Sequence, residues 1–146
     1  MTPTTPFQPL QGVRVLDLSR VLAGPVCSMI LADLGADVIK VERPGQGDDT
    51  REWGPPFIDS MDGMSAYFAS VNRNKRSLTL DMTRPAGRDV LNKLIERSHV
   101  LLENFLPASA AKLGLTTEHL HAINPQLVVC TISGFGRTGP WSQRPG

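Results

Sequence analysis

Apolar positions in this chain come in short bursts, and their spacing alternates between two kinds. Val13-Arg-Val-Leu-Asp-Leu18, Asp37-Val-Ile-Lys-Val-Glu42, Ser77-Leu-Thr-Leu80, Val100-Leu-Leu-Glu103 and Leu127-Val-Val-Cys-Thr-Ile132 are brief, rich in aliphatic side chains and bounded by polar or turn residues. Such runs predict five strands. After the first, Gly24-Pro25 opens a segment in which Val26, Met29, Ile30 and Leu34 fall at helical spacing, and Gly35 closes it. After the third, Thr83 suits an N-cap ahead of Pro85, and Val90, Leu91, Leu94 and Ile95 form one apolar stripe. Shorter helices are predicted over 65–71, 108–113 and 117–122. The crossover between the first two strands demands that they run parallel. Alternating strands and helices without repeats predict an α/β, Rossmann-like fold with a mostly parallel sheet and flanking helices. Residues 1–12, rich in Pro and Thr, are expected to be extended, and 13–146 to form the body of the domain.

Two stretches depart from the alternation. Residues 43–65 hold Pro44, Gly45, Gly47, Gly54, Pro55, Pro56 and the acidic pair Asp48-Asp49, which predicts a long irregular loop of the functional or poorly ordered kind. Asn72-Arg-Asn-Lys-Arg76 groups three cations between apolar segments, readable as a solvated turn or as a phosphate-binding run.

Composition narrows the classes. The chain has 146 residues, with 15 Lys or Arg against 14 Asp or Glu, a net charge of +1, 40% hydrophobic residues and 20% charged ones. That balance belongs to a globular domain and excludes disorder and collagen-like repeats. No run approaches the roughly 20 apolar residues of a spanning helix. Near-neutral charge without a basic stripe leaves no footprint for nucleic acid. Cys27 and Cys130 lie far apart within apolar segments and are expected to be packed thiols in a reducing compartment. Met1-Thr-Pro-Thr-Thr-Pro-Phe7 has neither a basic nor an apolar signal region, so the expected location is cytoplasmic.

Several motifs bear on chemistry. Gly134-Phe-Gly-Arg-Thr-Gly139 matches GxGxxG after a strand, but Pro140 and Pro145 leave no room for the helix that a dinucleotide site requires. His119 and His121, two apart on a short helix, point to different sides and lack a third ligand, so no metal is expected. His99, at the entry to a strand, is expected to be structural. Arg43 leaves the C-terminal end of a strand, where ligands of open α/β sheets gather, and could stack on a purine or pair with a phosphate. Asn104-Phe105 leaves another strand in the same way. These features point to a nucleotide-like ligand at the strand ends, without naming a reaction.

From Pro9 to Gly146 the chain resembles the N-terminal part of the class III coenzyme A transferases. That family includes the formyl-CoA, carnitine-CoA and succinyl-CoA–dicarboxylate transferases and α-methylacyl-CoA racemase. The resemblance rests on several segments in order: Pro9–Leu18, Val21-Leu-Ala-Gly-Pro25, Leu31–Gly45, Gly47-Asp-Asp-Thr-Arg51, Asn72–Ser77, Glu103-Asn-Phe105 and Gly134–Pro140. It implies a site for coenzyme A, bound as acyl-CoA, built largely from this part of the chain and needing no metal. The positions matching Val21 and Leu22 would lie against CoA, and Arg43 would meet the adenine. Leu80, Asn104, Phe105 and the basic Lys112 would line the same site. Leu22 replaces a glutamine that makes a polar contact in formyl-CoA transferase, and Thr83 replaces a lysine.

The resemblance also implies nucleophilic catalysis by an aspartate that attacks the acyl-CoA thioester. Its position lies beyond Arg144-Pro-Gly146, none of the fourteen acids here matches it, and no catalytic residue is expected within this chain. With a turn begun and no helix after the fifth strand, the C-terminus reads as a truncation. The expected function is therefore the CoA-binding part of an enzyme exchanging CoA between an acyl-CoA, with succinyl-CoA favoured by the 43–51 loop, and a carboxylic acid. The full enzyme would be an interlocked homodimer. The alternatives are part of an α-methylacyl-CoA racemase-type enzyme and a non-catalytic CoA-binding module.

Overall fold

A computed structural model of the protein describes residues 7–145. Strand β1 (Arg14–Asp17) leads through helix α1 (Ala23–Asp33) to β2 (Asp37–Glu42). The long loop follows. It is ordered by two 3-10 turns, Asp49–Glu52 and Asp59–Met61, and by a two-stranded hairpin of β3 (Phe57–Ile58) and β4 (Met64–Ser65). Helix α2 (Ala66–Asn72), β5 (Lys75–Thr79), α3 (Pro85–Glu96) and β6 (Val100–Glu103) come next. Two short helices, α4 (Pro107–Lys112) and α5 (Thr117–Ile123), precede β7 (Val128–Thr131).

The main sheet has five strands in the order β5-β2-β1-β6-β7, all parallel. The chain builds outward from β1 to β2 and β5, then returns to place β6 and β7 on its other side. That reversal makes a topological switch point between β1 and β6, and ligands of such sheets bind outside the carboxyl ends of the strands there. One face of the sheet packs Leu16, Leu18, Val41 and Leu101 against Leu91 and Ile95 of α3, Ala110 of α4 and Leu120 of α5. The other packs Val15, Val38 and Leu102 against Ala32 of α1. No helix among the described residues is long and apolar enough to cross a membrane.

Four local expectations are corrected. Helix α1 buries Gly24, Pro25, Ser28, Met29 and Ala32, while Ile30 is half exposed. A side chain at Gly24 would fall 2.2 Å from Ser19 Cβ, so small residues at i, i+4 and i+8 bring the helix close to the sheet. Thr83 does not cap α3: Arg84 holds the cap position without a side-chain bond, and the Thr83 hydroxyl donates to Asp81 at 2.6 Å. Residues 9–12 turn rather than extend, with Val13 N–H donating to the Leu10 carbonyl at 3.0 Å; residues 1–6 and Gly146 lie outside the described residues. The 72–76 run is the expected solvated turn only in part: Arg73 and Asn74 form an exposed turn, but its cations are engaged within the fold. Arg73 binds Asp33, Arg76 binds Asp37, and the Lys75 side chain is buried beside Asp17.

Candidate functional site

A cleft of about 550 Å³ opens at the carboxyl ends of β1, β2, β5 and β6. Leu18, Val41, Leu80, Met82, Phe105 and Leu113 supply its apolar wall. Four cations line it: Lys40, buried in β2 and paired with Asp48; Arg20, after β1; Arg43, after β2; and Lys112, at the end of α4. Arg20 and Arg43 both reach Asp49: Arg43 Nη2 donates to Oδ1 at 2.5 Å and Arg20 Nη1 to Oδ2 at 3.4 Å. The Arg20 guanidinium carbon also lies 5.8 Å from the centre of the Phe105 ring, within cation–π range. Lys112 is exposed and has no carboxylate partner among the described residues.

Beneath the cleft a buried polar network fixes the loop after β1. Asp17 is fully buried and accepts from the Ser19 N–H at 2.9 Å, from the Ser19 hydroxyl, from the Ser28 hydroxyl at 2.5 Å and from Lys75 Nζ at 3.3 Å. Lys40 Nζ donates to the Ser19 carbonyl at 2.8 Å and pairs with Asp48 at 2.8 Å. Asp48 in turn accepts from the Val21 N–H, 3.3 Å from each oxygen. Val21 has φ of 72°, a left-handed conformation that costs a β-branched residue about 1–3 kcal/mol. The Asp48 contact helps to hold it there. Burial pushes the Asp48 carboxyl up, but the bonds and charge of Lys40 and the bonds from Thr50 outweigh it, leaving the group below the ordinary carboxylate range. Glu42 behaves alike: burial raises it, while Arg51 at 2.6 and 2.7 Å, Ser77 at 2.7 Å and the Asp48 N–H at 3.0 Å bring it down.

The structure gathers Arg43, Leu80, Phe105 and Lys112 around this one cleft. Val21 and Leu22 are not among its lining residues: Val21 reaches it through the bond of its N–H to Asp48, and Leu22 is 47% exposed. Asn104 is not among the lining residues either. Its carbonyl accepts from Arg20 N–H at 3.0 Å and its amide donates to the Arg20 carbonyl at 2.9 Å, so it pins the loop after β1 to the end of β6. Sequence reasoning missed Arg20, Lys40 and Asp48. The available signal for Lys40 was its place in a strand expected to be covered on both faces, where a charge must find a partner.

The remaining motifs have local partners. Arg14 N–H donates to His99 Nδ1 at 2.9 Å, and a His121 ring nitrogen lies 3.0 Å from the Leu127 carbonyl. Among the described residues no three His, Cys, Asp or Glu side chains gather as a metal site. Gly134–Gly139 opens no helix among the described residues; Arg137 from it binds the buried Glu103 at 2.8 Å. Both cysteines are free and half-buried against the α1 side of the core, and burial raises the Cys27 thiol.

Comparison with known proteins places this arrangement. The family model for CoA-transferase family III matches residues 10–146. The chain belongs to that family. It is 50% identical over 140 residues to succinyl-CoA:glutarate CoA-transferase of Mus musculus, covering 96% of this chain and 31% of that protein. It is 50% identical over 141 residues to succinate–glutarate CoA-transferase of Agrobacterium fabrum, covering 94% and 35%. A solved CAIB/BAIF family protein from Brucella suis superposes with a TM-score of 0.90 at 52% identity, covering 95% of this chain and 37% of that one. The chain thus spans about a third of the length of its family III relatives. The α/β fold with its parallel sheet is that of the CAIB/BAIF protein.

Proposed function

We propose that this chain is the coenzyme A-recognition part of a family III transferase that moves CoA from an acyl-CoA to a carboxylic acid. The names of the relatives favour succinyl-CoA as donor and a dicarboxylate as acceptor. The observation that carries the reading is the switch-point cleft, whose apolar wall is rimmed by Arg20, Arg43 and Lys112. The nucleotide end of CoA is a planar base joined to phosphates. Arg43 offers the base a planar cation, Lys112 offers a phosphate a point charge, and Leu80 and Phe105 give the ring an apolar bed. The thioester end would leave along Val21 and Leu22.

In the reaction so proposed, an aspartate attacks the acyl carbonyl. The carbon–sulfur bond breaks, leaving CoA thiolate and a mixed anhydride. The thiolate then attacks the aspartyl carbonyl and releases the donor acid, and the acceptor carboxylate takes CoA by the reverse steps. We place that aspartate in the two-thirds of the relatives that this chain does not span. Asp48 and Asp49 are poor nucleophiles, since one is buried against Lys40 and the other is held by two arginines. The full enzyme is read as an interlocked homodimer.

Calorimetry tests the assignment of the cleft. Arg43→Ala is expected to weaken CoA binding by about 1–2 kcal/mol, the scale of a stacked or charge-assisted contact. Equal affinity for the two proteins would remove Arg43 from the site.

A further inference from the structure

One carboxylate serves two arginines at the rim of the cleft. Asp49 Oδ1 accepts from Arg43 and Oδ2 from Arg20, so the two guanidiniums, from loops after different strands, are held on a single group. On Arg43 the engaged donors are Nε, to the Gly47 carbonyl at 3.4 Å, and Nη2, to Asp49. Both lie on one edge of the fork, which leaves Nη1 and the planar faces for a ligand. On Arg20 the engaged donor is Nη1, and the group lies near the Phe105 ring. The other carboxylates at the cleft are already committed: Glu42 to Arg51, Asp48 to Lys40, and Asp81 to Arg84 and Thr83. Without Asp49, two cations would repel across the rim and each long side chain would sample several rotamers.

We infer that Asp49 is a positioning residue for the nucleotide end of the ligand: it holds Arg20 and Arg43 as a pre-set pair, with Arg20 as a second cationic contact beside Arg43. The inference rests on the reading of the cleft as a CoA site. Pre-setting works by removing the ordering cost of the two arginines before the ligand arrives. Asp49 is 39% exposed, as its partners are 36% and 43%, so the pairs add little to folding and Asp49→Asn should fold normally.

The test is calorimetric binding of two probes, CoA and pantetheine, to the purified full chain. Asp49→Asn is expected to weaken CoA binding about fivefold, a fraction of a charge-assisted hydrogen bond. Pantetheine, which lacks the base and the phosphates, should lose less than about twofold. In the Arg43→Ala background, Asp49→Asn should likewise cost less than about twofold, because most of its effect runs through Arg43. Tighter CoA binding by Asp49→Asn would overturn the inference and make Asp49 a competitor for the ligand's phosphates. Unchanged CoA binding, or equal losses for CoA and pantetheine, would also overturn it. Where Arg43→Ala itself changes nothing, the CoA reading of the cleft fails; where Arg43→Ala weakens binding and Asp49→Asn does not, only the positioning role fails.

Discussion

Lys75 shows how far a residue's surroundings can depart from its sequence context. It stands in a run of polar residues, yet its ammonium is buried, donating at 2.8 Å to the Pro25 carbonyl and to Asn72 Oδ1, and lying 3.3 Å from Asp17. Burial lowers its pKa from 10.5 to about 8, against the opposing pull of Asp17. Between those values the unfolded chain binds a proton that the folded chain has released, so this group's contribution to stability rises as pH increases through that window. Removing one partner of a buried pair costs about 3–5 kcal/mol, and Lys75→Met should destabilise the fold on that scale at neutral pH. Urea unfolding should show the gap between wild type and Lys75→Met widening in favour of wild type above pH 8. A gap independent of pH would mean that Lys75 ionises as a solvated lysine. The positions of single residues were legible where they follow from local spacing, as with Arg43 leaving a strand end. Their roles were illegible where they depend on a partner that only the folded chain brings into reach, as with Asp17 and Lys75 or Lys40 and Asp48.

Elements were read well where spacing and turn residues agree. Strand β2 and strand β6 have the predicted bounds, and α4 and α5 start within a residue of theirs. The errors lie in which face an element turns inward. On α1 the large apolar residues suggested the buried stripe; Met29 is buried as expected, but close approach to the sheet sets small residues beside it and leaves Ile30 half exposed. The start of α3 shows the same constraint. A Cβ at the buried Gly87 would lie 1.9 Å from the Asp81 carbonyl oxygen, so the helix rests directly on a backbone that lines the cleft. Gly87→Ala should therefore cost about 1–3 kcal/mol through overpacking. Thermal unfolding would read that loss, and a wild-type midpoint would show that α3 can shift away from residue 81.

At the scale of the molecule, the chain supplies one parallel sheet, its switch point and a rimmed cleft, over about a third of the length of its relatives. Since we place the nucleophile outside this stretch, the purified 146-residue chain should show no turnover of succinyl-CoA with a dicarboxylate. Activity in material free of any longer protein would refute that placement. By itself the sequence determined the alternation of strands and helices, the parallel crossovers and the family, because periodicity, turn residues and ordered motifs are written in local spacing. The tertiary structure decided which strand ends face one another, which charges are buried in pairs, and that Arg20, Asp49 and Arg43 meet at one rim. Those facts depend on contacts such as Arg20–Asp49 and Asp17–Lys75, 29 and 58 positions apart, and on the path by which the loop after β2 folds back over its own strand.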